Sequence, residues 1–301
     1  MKRTFLVLAL ALLSTFIFRQ TVDAKKKKGN LIKVLIIDGQ SINHPHWKEW
    51  TPVLLKQLHD TGLFQIDLAT SPMKGESLDK FNPKFKNYDV VVSLYDGDIW
   101  SARVQRSFEK YISTGGGLVV IHAADNAFPS WDIYNEMIGL GGWGNRNENN
   151  GPYVYIDDQG EIVRDTSPGK GGHHGQKHEF VVESRATDHP IMKDIPVKWL
   201  HAQDELYDQL RGPARNMEIL ATSFVDKDNG GSGRNEPILM TVEYGDGHIF
   251  HSTMGHSRQA ISCVGFTTTL VRGIEWAANR QVTFEVPDDF PDENSTSSRT
   301  Y

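Results

Sequence analysis

The chain of 301 residues holds one cysteine, Cys263. Without a second thiol no internal disulfide is available, so stability has to come from packing even in an oxidising compartment. Cys263 sits in an apolar stretch of helical spacing, where a buried small hydrophobe is expected rather than a nucleophile. Basic character is scarce as well. The net charge is −6 and the one strong basic run is Lys25–Lys28, which gives phosphate backbones little to hold, so no nucleic-acid partner is expected. The chain lacks a Gly-x-Ser-x-Gly elbow, which excludes the usual α/β serine hydrolase. It also lacks the His-Glu-x-x-His spacing of a helical zinc site. Gly115-Gly116-Gly117 precedes an apolar run instead of opening a helix, so it reads as a helix stop and not as a phosphate cradle. No internal repeat is found.

Long apolar runs are confined to Phe5–Phe18, preceded by Lys2 and Arg3 and followed by Val22-Asp23-Ala24. That order is a cleavable signal peptide over residues 1–24, and the run is short for a membrane span. The expectation is a periplasmic or secreted protein with no membrane attachment after cleavage. Residues 25–30 then form a basic linker, 31–286 one α/β domain, and 287–301 a polar tail expected to fray.

Within the domain, Leu31–Asp38 is a nearly continuous apolar run, as expected of a strand covered on both faces. Trp47, Val53, Leu54, Leu55 and Leu58 recur at helical spacing up to Thr61-Gly62. Phe64–Ala69 and Asp89–Leu94 read as strands, Ser101 caps a helix carrying Val104, Phe108, Tyr111 and Ile112, and Gly117–His122 is another buried strand. This succession predicts a doubly wound, mostly parallel sheet. A glycine-rich excursion from Gly139 to Gly175 includes a hairpin, Tyr153–Ile156 against Glu161–Arg164. His178–Glu183 and Glu218–Thr222 are later strands. A C-terminal hairpin, Pro237–Glu243 and His248–Thr253 around Tyr244-Gly-Asp-Gly247, leads into a last helix from about Ala260 to Ala278.

Ligands of open α/β sheets bind at the carboxyl ends of the strands. Three such ends carry imidazole: His44 and His46 after the first strand, His122 after the central strand, and His256 after the last hairpin strand. Neutral imidazoles with a carboxylate suit a divalent metal such as zinc, and Glu205 in His201-Ala-Gln-Asp204-Glu205 is the favoured carboxylate. The competing view is that each histidine bonds locally and no metal binds. In the excursion, Trp143 and Arg146, with Asp125 nearby after His122, offer an aromatic face and directional polar groups for a sugar. Trp143 as a simple pin for a long loop is the alternative.

Several runs together resemble the trehalose-utilisation, or ThuA-like, family, similar in fold to the class I glutamine amidotransferases. They are Gly116–Ala123, Tyr134–Gly139, Gly141-Gly-Trp143, His178-Glu-Phe180, Asp188-His-Pro-Ile191, Trp199–Tyr207 and Thr253-Met-Gly-His256. The resemblance implies a flavodoxin-like domain with an inserted glycine-rich loop and a C-terminal β-hairpin and helix. Where an amidotransferase has its cysteine, the chain has His122-Ala-Ala, so thiol chemistry is excluded. The resemblance further implies a link to trehalose and related sugars or 3-keto-glycosides, with His122, Glu205 and His256 as metal or acid/base groups joined by His44 or His46. Family members often carry an acidic residue after the Gly-His pair, where this chain has Ser257. Metal-assisted hydrolase, lyase or isomerase chemistry is the leading expectation, and a non-catalytic carbohydrate-binding protein the rival.

Overall fold

A computed structural model describes residues 31–41 and 47–301. The expected signal peptide, the basic linker, His44 and His46 all lie outside the described residues. Among the described residues no helix is long and apolar enough to cross a membrane.

The chain runs β1 (Ile32–Asp38), α1 (Trp47–Thr61), β2 (Phe64–Thr70), β3 (Val90–Ser93), α2 (Ala102–Ser113), β4 (Gly117–Ile121) and α3 (Asp132–Ile138). The excursion holds β5 (Tyr153–Ile156), β6 (Ile162–Asp165) and β7 (His173–His174). Then come β8 (His178–Ser184), β9 (Lys198–Asp204), β10 (Tyr207–Asp208), β11 (Met217–Phe224), β12 (Asn235–Tyr244), β13 (Gly247–Ser252), α4 (Arg258–Ile261) and α5 (Val264–Asn279).

The main sheet has the order β2-β1-β3-β4-β13-β12-β11-β8-β9, with the β5–β6 hairpin attached to β12. The pairs from β2 through β13 are parallel, and those from β13 to β9 are antiparallel. The sheet is therefore mixed: a parallel half, as the apolar runs predicted, joined to an antiparallel half. Strand alternation divides the core. Val34 and Ile36 of β1 face a cluster with Leu54, Leu58, Phe266 and Leu270, whereas Leu35 and Ile37 face Phe85, Trp100 and Phe108. In that second layer Trp100 meets Phe128 edge-on at 5.0 Å, the geometry that the ring quadrupoles favour.

Two expectations change at the carboxyl end. The last helix is broken at Ser262-Cys263, where Cys263 is extended (φ −61°, ψ 131°) and bridges to Ser298. The tail does not fray: Val264 N–H donates to Ser297 O at 2.8 Å, Leu200 N–H donates to Asp292 O at 2.8 Å, and Phe290 packs on the buried Trp199. The backbone groups that would have continued one helix are thus satisfied by the tail. Beside them Gly265 lets α5 approach Trp199, since a Cβ there would stand 2.2 Å from the indole ring.

Candidate functional site

The direction of each strand decides what reaches one rim. β4 and β13 run together, and after four antiparallel steps β9 again runs the same way. In a flat sheet, β9 would lie four strand spacings, about 19 Å, from β13. Instead, Asp204 at its end accepts from Gly255 N–H at 2.7 Å and His256 N–H at 3.0 Å. The sheet curls until its far edge meets its centre. Glu205, His122 and His256 meet there.

His122 follows β4 at a sharp turn, with φ of 45°. Such a conformation in a non-glycine residue costs on the order of 1–3 kcal/mol and tends to occur where function demands it. Its Nδ1 lies 2.7 Å from the carbonyl of Thr253. A carbonyl only accepts, so Nδ1 carries the proton, and in the neutral ring Nε2 presents its lone pair inward. That nitrogen is 3.2 Å from His256 Nδ1 and 3.7 Å from Glu205 Oε2, and His256 Nδ1 is 2.8 Å from the same oxygen. All three residues are buried. Burial alone would raise the Glu205 carboxyl, but the two imidazoles outweigh it and hold it well below the usual carboxylate range. Burial would likewise lower His122, and Glu205 with Asp204 raises it. Tyr207 packs on His122 with ring centroids 4.1 Å apart, and burial pushes its phenol well above the ordinary value.

On the open side, β7 pairs with β10 and brings His174 to Tyr207. His174 Nε2 is 3.8 Å and Lys177 Nζ 3.4 Å from the Glu205 carboxylate, with side chains 36% and 46% exposed. Trp143 completes this rim, half-buried, 4.6 Å from the Tyr207 ring and 6.0 Å from His174.

The other expected contacts are spent elsewhere. Arg146 is 1% exposed and its guanidinium donates to Asn135 Oδ1 and to the carbonyls of Asn126, Ala127 and Gly142. It ties the excursion to the loop after β4. Asp125 is also buried, 3.3 Å from His251 Nε2, while His251 Nδ1 donates to Ile138 O at 2.9 Å. Neither side chain is placed to touch a ligand at the triad. Ser257 caps α4, accepting from Ala260 N–H. Asp204 lies in the Trp199–Tyr207 run quoted above, where no role was assigned to it; His174 lies in the glycine-rich excursion and Lys177 just past its end. In β9 (Lys198–Asp204) Trp199, His201, Ala202 and Asp204 are buried, so Asp204 ends the strand pointing inward.

The sequence matches the family described as ThuA, trehalose utilisation, over residues 33–277. The chain belongs to the ThuA family. A ThuA-like protein from Parabacteroides merdae is 46% identical, with a TM-score of 0.85, over 89% of this chain and 98% of its own. A second ThuA-like structure, from Bacteroides uniformis, is 19% identical with a TM-score of 0.59, over 85% of this chain and 94% of its own, and speaks for the fold alone. No curated protein matches the chain.

Proposed function

We propose that this ThuA-family protein is an exported, metal-assisted enzyme acting on a sugar or 3-keto-glycoside. The observation that carries the reading is the shape of the triad. Ligands held 2.0–2.2 Å from a tetrahedral zinc stand about 3.4 Å from one another, and the three contacts here are 2.8, 3.2 and 3.7 Å. The donor set, two imidazoles and one carboxylate, is that of a catalytic site with one position left for substrate or water. The bond from His122 Nδ1 to Thr253 O supplies the outer partner that fixes a ligating imidazole. Residues His122, Glu205 and His256 would hold the ion.

A divalent ion there supplies Lewis acidity toward a carbonyl or a lowered pKa for bound water. The chain's own groups do the rest. Lys177 and His174, exposed beside Glu205, are placed to move a proton at the reacting oxygen. Trp143 gives the apolar C–H face of a pyranose a stacking surface, and Tyr207 remains a neutral donor. The family's description as trehalose utilisation favours a sugar as substrate.

The test is metal analysis of the purified protein beside a His122→Ala/His256→Ala double variant. About one equivalent of divalent metal in the parent and little in a folded variant is expected. Equal metal content in both would sink the proposal.

A further inference from the structure

His201 stands in the run His201-Ala-Gln-Asp204-Glu205 that supplies the triad carboxylate, yet neither the triad nor the proposed reaction uses it. It is wholly buried on β9, 5.0 Å from the Phe180 ring and edge-on to Trp199 at 5.9 Å. An imidazole in such a layer costs free energy unless its polar atoms find partners. Its Nε2 lies 3.1 Å from Asp204 Oδ2.

That contact is not one a regular strand makes, because residues three apart along a strand face opposite ways. β9 departs from regularity just there. His201 pairs with Phe180 and Asp204 with His178, so three steps along β9 match two along β8. The extra residue forms a β-bulge, which re-aims Asp204 onto the side that His201 occupies.

Asp204 is where the two arms of the site are joined. Its Oδ1 accepts from Glu205 N–H at 2.9 Å and from His256 N–H at 3.0 Å, and its Oδ2 from Gly255 N–H at 2.7 Å. Glu205 follows β9 and His256 follows β13, so no local geometry sets their spacing. The carboxylate does. Its three N–H donors belong to the segments being placed and move with them. His201 alone is fixed independently, in the packed interior of the sheet, and supplies the reference against which both segments are set.

We infer that His201 is the positioning residue of the triad: through Asp204 it sets the separation of Glu205 and His256, and with it the affinity of the site for a divalent ion. The inference rests on the proposed function and adds to it what tunes the site, a side chain that is not among the ligands. Loss of such an outer partner typically lowers metal affinity about 10- to 100-fold.

Three variants of the full-length protein separate the position of the donor from burial and charge. His201→Gln puts an amide nitrogen where Nε2 stands and keeps the donor to Asp204; His201→Asn puts it where Nδ1 stands, short of Asp204; His201→Leu removes it and suits the apolar neighbours. All three lack the charge an imidazole can carry. Zinc affinity is measured by competition with a chromogenic chelator, and the absorption spectrum of the cobalt(II)-loaded protein reports ligand geometry. Ile112→Ala, in the other core layer on α2, is a control for lost stability alone. The Asn and Leu variants should bind zinc about 10- to 100-fold more weakly than the parent, with a changed cobalt spectrum, and the Gln variant within about threefold of it. The control should keep the parent affinity and spectrum. If either donor-less variant folds and binds zinc as tightly as the parent, if the Gln variant weakens binding as much as they do, or if the control loses it equally, the positioning role is overturned and the reading of the triad stands. If the parent binds no zinc, both are overturned.

Discussion

Replacing Asp204 by asparagine should unfasten the site without touching any of the three triad side chains. In the protein Asp204 is wholly buried and accepts from the backbone N–H groups of Glu205, Gly255 and His256. Its Oδ2 also lies 3.1 Å from His201 Nε2. Burial works against a charge on His201, yet Asp204, together with the Cys263 sulfur, outweighs it and the imidazole is pushed up to about 9 from an ordinary 6.5. That difference corresponds to about 3 kcal/mol of folding stability, shared between Asp204 and Cys263. It agrees with the roughly 3–5 kcal/mol lost when one partner of a buried ion pair is removed. An amide also turns a donor toward N–H groups that need acceptors. The Asp204→Asn variant should therefore be less stable by about 3–4 kcal/mol at pH 6 in urea unfolding. Because the folded pKa of His201 is raised, the contribution is whole below about 6.5 and fades as pH rises through about 9. The gap between parent and variant should narrow over that window. A gap below about 1 kcal/mol, or one that does not change between pH 6 and 9.5, would refute the reasoning.

Glu236 should act with the opposite slope to a paired carboxylate. Burial, with Asp208 nearby, pushes it up to about 7 despite the Ser232 hydroxyl. The folded state then holds a proton that the unfolded chain releases above about 4.5, so stability falls as pH rises from there through 7. Glu236→Gln should flatten that fall, raising stability at pH 8 by up to about 3 kcal/mol. An unchanged pH profile by thermal unfolding would contradict it. Arg146→Met should strand four buried acceptors and destabilise the protein by about 3–5 kcal/mol, with limited proteolysis cutting first between residues 141 and 172. Arg146→Lys should not rescue it, because an ammonium cannot reproduce the guanidinium fork. Rescue by lysine would show that charge alone matters there.

Local patterns reached the parallel half of the fold. The apolar runs of β1 and β4, the spacing of Val104, Phe108 and Ile112, and the hairpin of Tyr153–Ile156 with Glu161–Arg164 are all short-range signals, and the elements lie where they pointed. His122, Glu205 and His256 were legible because strand direction sends carboxyl ends to one rim. What stayed hidden depended on distant register. Nothing near Asp204 in sequence says that β9 returns to the loop after β13, so its three backbone bonds could not be foreseen. Arg146 looked like a ligand contact because sequence does not say whether a guanidinium faces water or four carbonyl and amide oxygens. The polar tail looked loose because its partners, Ser262 and Leu200, are contributed by other elements.

The bond that fastens the edge of the sheet to its middle also bears on how the molecule assembles. Contacts between residues so far apart along the chain, 122 with 205 and 204 with 256, carry a large loop-closure cost and form after the local pairings that make them possible. No fragment ending before β13 could hold even a weakened version of the centre, because one imidazole, His256, and two of the three backbone donors to Asp204, Gly255 and His256, follow the last hairpin. The triad should come together abruptly, as the final act of folding, and part first when that closing contact loosens.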